Sequence, residues 1–175
     1  MSALRDHFHA FARYNLWANR RLCAAAAQMS DADYRKDAGA FFGSMRGTLN
    51  HILVADRIWM KRFTGQGDAP ARLDAILFDA FADLRAAREA EDARIVAYVA
   101  ALDDVALNGV FRFARASSPE LYEQQLGPTL SHVFNHQTHH RGQAHAILTA
   151  LGYEAPELDL LFFQREAGIG GARRV

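Results

Sequence analysis

At 175 residues the chain is long enough to bury roughly two thirds of its unfolded surface around one core, and 50% hydrophobic against 23% charged residues excludes a charge-rich, unfolded polypeptide. Lys+Arg and Asp+Glu both number 20, so a formal net charge of +0 supplies no field for phosphate backbones or anionic lipid, and neither nucleic acid nor membrane is expected as a partner. The single cysteine, Cys23, excludes an intramolecular disulfide and a cysteine-based zinc knuckle, and it suits a reducing cytoplasm.

The N-terminal residues carry charges and histidines every few positions, with no apolar stretch resembling a leader or membrane span, so the mature chain is expected to begin at Met1 or Ser2. Leu4, Phe8, Phe11, Asn15, Ala18, Leu22, Ala25 and Met29 step by four and three, which predicts a first helix from Leu4 to Met29. Asn15 is the polar exception on that seam, a register device or a hydrogen-bonding group in the core. Cys23 beside Leu22 reads as a small packing residue.

Ser44 is an N-cap for a second helix reaching about Phe63, with Leu49, Leu53, Met60 and Phe63 on its main apolar face and Thr64-Gly65-Gln66-Gly67 as its stop. A polar, Gly- and Pro-containing stretch leads to a third helix from about Leu77 to Leu102. Arg88, Glu91 and Asp92 interrupt its seam, where apolar residues are expected. These three are the candidate catalytic residues, to anchor a charged substrate or supply a base. The competing reading is an intrahelical ion-pair set, since Arg88 and Asp92 are four apart.

From Asp103 to Gly127 the helical rhythm fails. Residues 110 to 115 alternate like a strand, Ser117-Ser118-Pro119 reads as a turn and Leu121 to Gln125 can pair back, which makes a small hairpin. Pro128 fits the first turn of a fourth long helix reaching Leu151, closed by Gly152. A short terminal helix follows Pro156, and residues 168 to 174 are expected to fray. The fold expected is all-α: one domain over residues 1–175, a four-helix bundle with a long crossover connection before the last long helix.

Four of the eight histidines fall between Ser131 and Gln143. With His132 set at 0° on a helix, the apolar residues Leu130, Val133, Phe134, Ala144, Ile147, Leu148 and Leu151 occupy an arc from about 60° to 200°. His136 falls at about 40° and His140 at about 80°, stacked one turn apart at the edge of that arc, while His132 and His139 lie outside it. An H-x-x-x-H pair either grips one ion or is two hydrogen-bonded imidazoles at a core boundary. His51, on the narrower apolar strip with Val54, Ala55 and Ile58, needs a partner, because an unpaired buried ring costs about 1 to 3 kcal/mol. His7, His9 and His145 read as solvated or ordinarily hydrogen-bonded.

Taken together, Tyr14-Asn15-Leu16-Trp17-Ala18-Asn19, Thr48 to Trp59, and Asn135 to Gln143 resemble the DinB/YfiT-like family of bacterial metalloproteins, from about Leu4 to Glu166. The segment from Leu151 to Phe163 is similar to that family's ending. The resemblance implies a four-helix bundle, often dimeric, with a divalent metal held by His51, His136 and His140 and an open position for water or substrate. It also implies a choice of activities, since characterised relatives include thiol-dependent transferases and an isomerase.

Three neutral imidazoles leave the charge of such an ion unneutralised, which favours a catalytic over a structural site. The leading expectation is therefore a metal-dependent transferase activating a low-molecular-weight thiol. The alternatives are a metal-dependent hydrolase and a non-catalytic metal or small-ligand binder. Zn or Ni is the expected metal, with Fe and Cu also suited to imidazole. Asn135, Arg141, Gln143 and Asp56 are expected to support the ligands or the helix packing.

Overall fold

Apolar residues three and four apart give the chain four long helices, α1 (Ala3–Ala26), α3 (Met45–Thr64), α4 (Phe81–Ala100) and α6 (Leu126–Ala150). Between and after them lie the short helices α2 (Asp31–Arg35), α5 (Asp104–Asn108) and α7 (Leu160–Glu166), and a two-stranded hairpin of β1 (Val110–Ala114) and β2 (Leu121–Gln125). This is a computed structural model, and it describes residues 2–114 and 120–171. The turn expected at 117–119 and the fraying expected of residues 172–174 lie outside the described residues. Among the described residues, no helix is long and apolar enough to cross a membrane.

Helix α1 packs against α4 and α6, and α3 packs against the same two helices. One apolar cluster joins Leu22 and Ala26 to Met45, Leu49, Ile52, Leu53, Leu84, Ile147 and Leu148. A second, towards the other end of the helices, gathers Phe8, Ala12, Met60, Ile95, Val99, Leu107, Leu130 and Phe134.

Ser44 caps α3 as expected, its hydroxyl accepting from the Gly47 amide at 3.1 Å, and Gly65 ends the helix in the left-handed conformation at φ 71°. Ser30 caps α2, and that competing start ends α1 at Ala26, not at the expected Met29. The third long helix also starts later than the expected Leu77. Asn50 of α3 accepts from the Leu77 and Phe78 amides at 2.8 and 3.0 Å and donates to the Phe78 carbonyl at 3.0 Å. Those backbone groups are held by α3, so the helix begins only at Phe81.

The hairpin pairs Val110 with Gln125 and Phe113 with Tyr122 in antiparallel register. Its alternation has a cause: Phe111 and Phe113 face the helices, with ring centroids 5.4 Å from Phe63 and 5.3 Å from Trp59. The C-terminal α7 is tied to α1 by the Tyr14 hydroxyl donating to the Leu158 carbonyl at 2.7 Å and Trp17 Nε1 donating to Glu166 at 2.7 Å.

The charges on the α4 seam lie inside the protein. Arg88 contacts Asp56 of α3 at 2.7 Å and Asp92 at 3.0 Å, with all three side chains no more than 6% exposed. Asn19 donates to Asp92 at 2.9 Å, Gln137 donates to Asp56 and to the Ile52 carbonyl, and Arg141 donates to Asn15 and Asn19. Burial pushes the Asp56 carboxyl up to about 6 against the opposing pull of Arg88. Truncating Arg88 leaves two buried carboxylates facing each other. Arg88→Leu is expected to lower the unfolding free energy by about 3 to 5 kcal/mol in urea titration. Arg85→Leu, which breaks the exposed pair with Glu89, is expected to change it by no more than about 0.5 kcal/mol.

Candidate metal centre

His51 comes from the middle of α3, and His136 and His140 from successive turns of α6, the helix packed against it. The three side chains meet through their Nε2 atoms: 3.4 Å from His51 to His136, 3.2 Å from His51 to His140 and 3.1 Å from His140 to His136. His51 and His140 are buried, and His136 is half-buried.

The outward nitrogens fix which atoms face inward. His51 Nδ1 lies 2.8 Å from the Leu73 carbonyl, which can only accept, so Nδ1 carries the proton and Nε2 presents a lone pair. His140 Nδ1 is likewise 2.8 Å from Gln143 Oε1. Burial pushes the His51 ring down to about 4, and burial followed by its histidine neighbours pushes His136 down to about 3. His140 is lowered by burial as well. At neutral pH all three are uncharged, the state in which imidazole can bind a metal.

Converging imidazole lone pairs repel unless something positive lies between them. Three nitrogens at 2.0–2.1 Å from a tetrahedral ion stand about 3.3 to 3.4 Å apart, close to the separations seen here. The three histidines could hold one divalent ion. The donor set and its spacing therefore fit the group that the sequence suggests.

Phe42 closes one side. Its ring stacks on His51 at 3.8 Å and 18°, and meets His140 edge-on at 5.5 Å. The loop bearing it lies so tightly on α3 that a Cβ on Gly47 would come 2.1 Å from the Phe42 carbonyl oxygen, so only glycine fits there. On another side the centre opens into a cavity of about 500 Å³, walled by His51, Ile58, Trp59, Leu73, Phe113 and His136, among others.

The remaining sequence candidates are placed elsewhere. Arg88 and Asp92 lie in the buried network, and Glu91 pairs with Arg94 at 2.9 Å and with Arg57 at 4.0 Å. None of the three lines the 500 Å³ cavity. Gln143 accepts from the His140 ring, Asp56 and Arg141 belong to the network, and Asn135 is exposed. His132 and His139 are exposed, as the helical arc predicts, yet His132 also forms part of the cavity wall, 6.0 Å from the His136 ring. Sequence reasoning did not find Leu73 or Phe42. The Leu73 contribution is a backbone carbonyl and leaves no mark in side-chain pattern.

Ala substitution at His51, His136 or His140 is expected to abolish tight uptake of Zn or Ni measured by elemental analysis, whereas His132→Ala and His139→Ala stay within a few-fold of the wild type. Gln143→Leu removes an acceptor behind His140, and metal affinity in competition with a chelator is expected to fall by about 10- to 100-fold.

A relative of the chain is Protein DinB of Bacillus subtilis (strain 168), 25% identical over 152 residues that cover 83% of this chain and 87% of that protein. The family model described as DinB family matches residues 1–174. With that match spanning nearly its whole length, the chain belongs to the DinB family.

Proposed function

We propose that the protein is a divalent-metal-dependent transferase that passes a low-molecular-weight thiol to an electrophilic carbon of a second substrate. The observation that carries the metal-dependent part is the convergence of the Nε2 atoms of three neutral imidazoles beside a cavity large enough for a small organic molecule. A divalent ion held by neutral ligands keeps its charge and acts as a Lewis acid that brings a bound water, alcohol or thiol well below its free pKa. The choice of thiol rests on the family resemblance.

The chain's own residues bind and orient. Leu73 and Gln143 hold the His51 and His140 rings in the tautomer that turns Nε2 inward. Phe42 keeps water from the stacked face of His51. Trp59 and Phe113 give the second substrate an apolar surface beside the centre. The contacts of α1 and α3 with α4 and α6 support a four-helix bundle, with the connection containing α5 and the hairpin as its crossover.

Metal-loaded and chelator-stripped protein, each given a panel of small thiols and an electrophilic acceptor, separates the readings. Thioether formation is expected only with both metal and thiol. Metal-dependent ester cleavage without a thiol requirement would instead identify a hydrolase. Tight metal binding with no turnover across the panel would identify a non-catalytic binder.

A further inference from the structure

Arg62 stands on the same stripe of α3 as His51. His51, Ala55, Ile58 and Arg62 follow at spacings of four, three and four, and all line the 500 Å³ cavity. Eleven residues of helix separate the Cα atoms of His51 and Arg62 by about 16 Å.

The Arg62 guanidinium lies beside two touching rings, 4.5 Å from the Trp59 centroid and 5.1 Å from that of Phe113. One nitrogen, Nη2, donates to the Ala114 carbonyl at 3.0 Å. Among the described residues no carboxylate pairs with it, whereas nearby Arg57, Arg88 and Arg94 each have an acidic partner. Partial burial lowers its pKa, as expected for a cation with desolvation and no counter-charge. A half-buried guanidinium facing an organic-sized cavity, with Nε and Nη1 free of a hydrogen-bond partner among the described residues, is a receptor for a planar anion.

We infer that the cavity takes an elongated organic carboxylate: the carboxylate on Arg62, an apolar or aromatic body along Ile58, Trp59 and Phe113, and the far end at the three histidines. One guanidinium charge matches one carboxylate, and the two rings beside it favour a flat or aliphatic body over a hydrated one. The placement of the far end rests on the metal-enzyme reading above. The anion subsite does not, because Arg62 is separate from the histidine ligands.

The test measures binding of ω-phenylpentanoate, ω-phenylpentanol and ω-phenylpentylamine by titration calorimetry, with metal-loaded and chelator-stripped protein. The acid is expected to bind at least about 10-fold tighter than the alcohol and the amine weakest, in both preparations. Arg62→Gln is expected to bring the acid down to the level of the alcohol, while Arg62→Lys keeps part of the preference. Metal content should be unchanged in either variant. Equal affinity for acid and alcohol in the wild type overturns the inference, as does an acid preference that survives Arg62→Gln. A preference that vanishes with the metal places the carboxylate at the histidines and also overturns it, and so does absence of binding by all three probes. Should Arg62→Gln fail to fold by circular dichroism, the acid-to-alcohol ratio of the wild type and of Arg62→Lys decides. A protein that takes up no metal yet keeps the Arg62-dependent preference refutes the proposed activity and leaves this subsite standing.

Discussion

Asp56, Arg88 and Asp92 sit where a helical core would ordinarily place leucine or isoleucine, and four helices contribute to satisfying them. Asp56 comes from α3, Arg88 and Asp92 from α4, Asn15 and Asn19 from α1, and Gln137 and Arg141 from α6. Two carboxylates and two guanidiniums balance in formal charge. Apolar side chains would stabilise the core as well or better, but they tolerate sliding; directional partners do not. Gln137 reaches both Asp56 and the Ile52 carbonyl, which fixes the height of α6 against α3. Its neighbour His136 thereby meets His51.

Register alone brings the three rings together; their orientation needs further contacts. Those contacts come from segments with no regular structure or from the neighbouring turn. The Leu73 carbonyl belongs to the connection between α3 and α4, and that connection is itself anchored through Asn50. Gln143 is one turn beyond His140. Phe42 belongs to the loop that Gly47 allows to lie close on α3. Low ring pKa values follow from this enclosure: protonated imidazoles would be both desolvated and mutually repelled, so the neutral, metal-competent state is the one the fold favours.

Beyond the histidines, the hairpin converts an open helix face into a cavity. Phe113 packs on Trp59, and Tyr122 packs on Phe113 at 5.9 Å, so a two-stranded element too small to be stable by itself is held by aromatic contacts with α3. The cavity it covers is apolar along its length, with polar groups at its ends. In the proposed activity, that division would let the apolar walls hold a substrate's body and leave specificity to the histidines and Arg62.

Periodicity in the sequence determined the four long helices, because burying an apolar stripe is a local requirement that each segment displays by itself. It also determined that His136 and His140 share a face and that His132 and His139 leave it, since helical angles need no knowledge of the rest of the chain. Ser44 and Gly65 marked the ends of α3 for the same reason. The start of α4 at Phe81 was decided by tertiary structure, through Asn50 taking backbone groups that a helix would otherwise use. The polar seam of α4 was legible as an anomaly, but its partners on α1 and α3 are 32 to 77 residues away from it in sequence, on helices that only packing brings close. The apolar strip around His51 showed only that its ring needs a partner, and its role as a ligand was suggested by family resemblance alone; its place 3.2 Å from His140 across 89 residues is a consequence of how α3 and α6 align. Residue pattern records what one segment must bury; which segment meets it, and which atoms then face each other, is settled only when all the buried polar groups find their partners together.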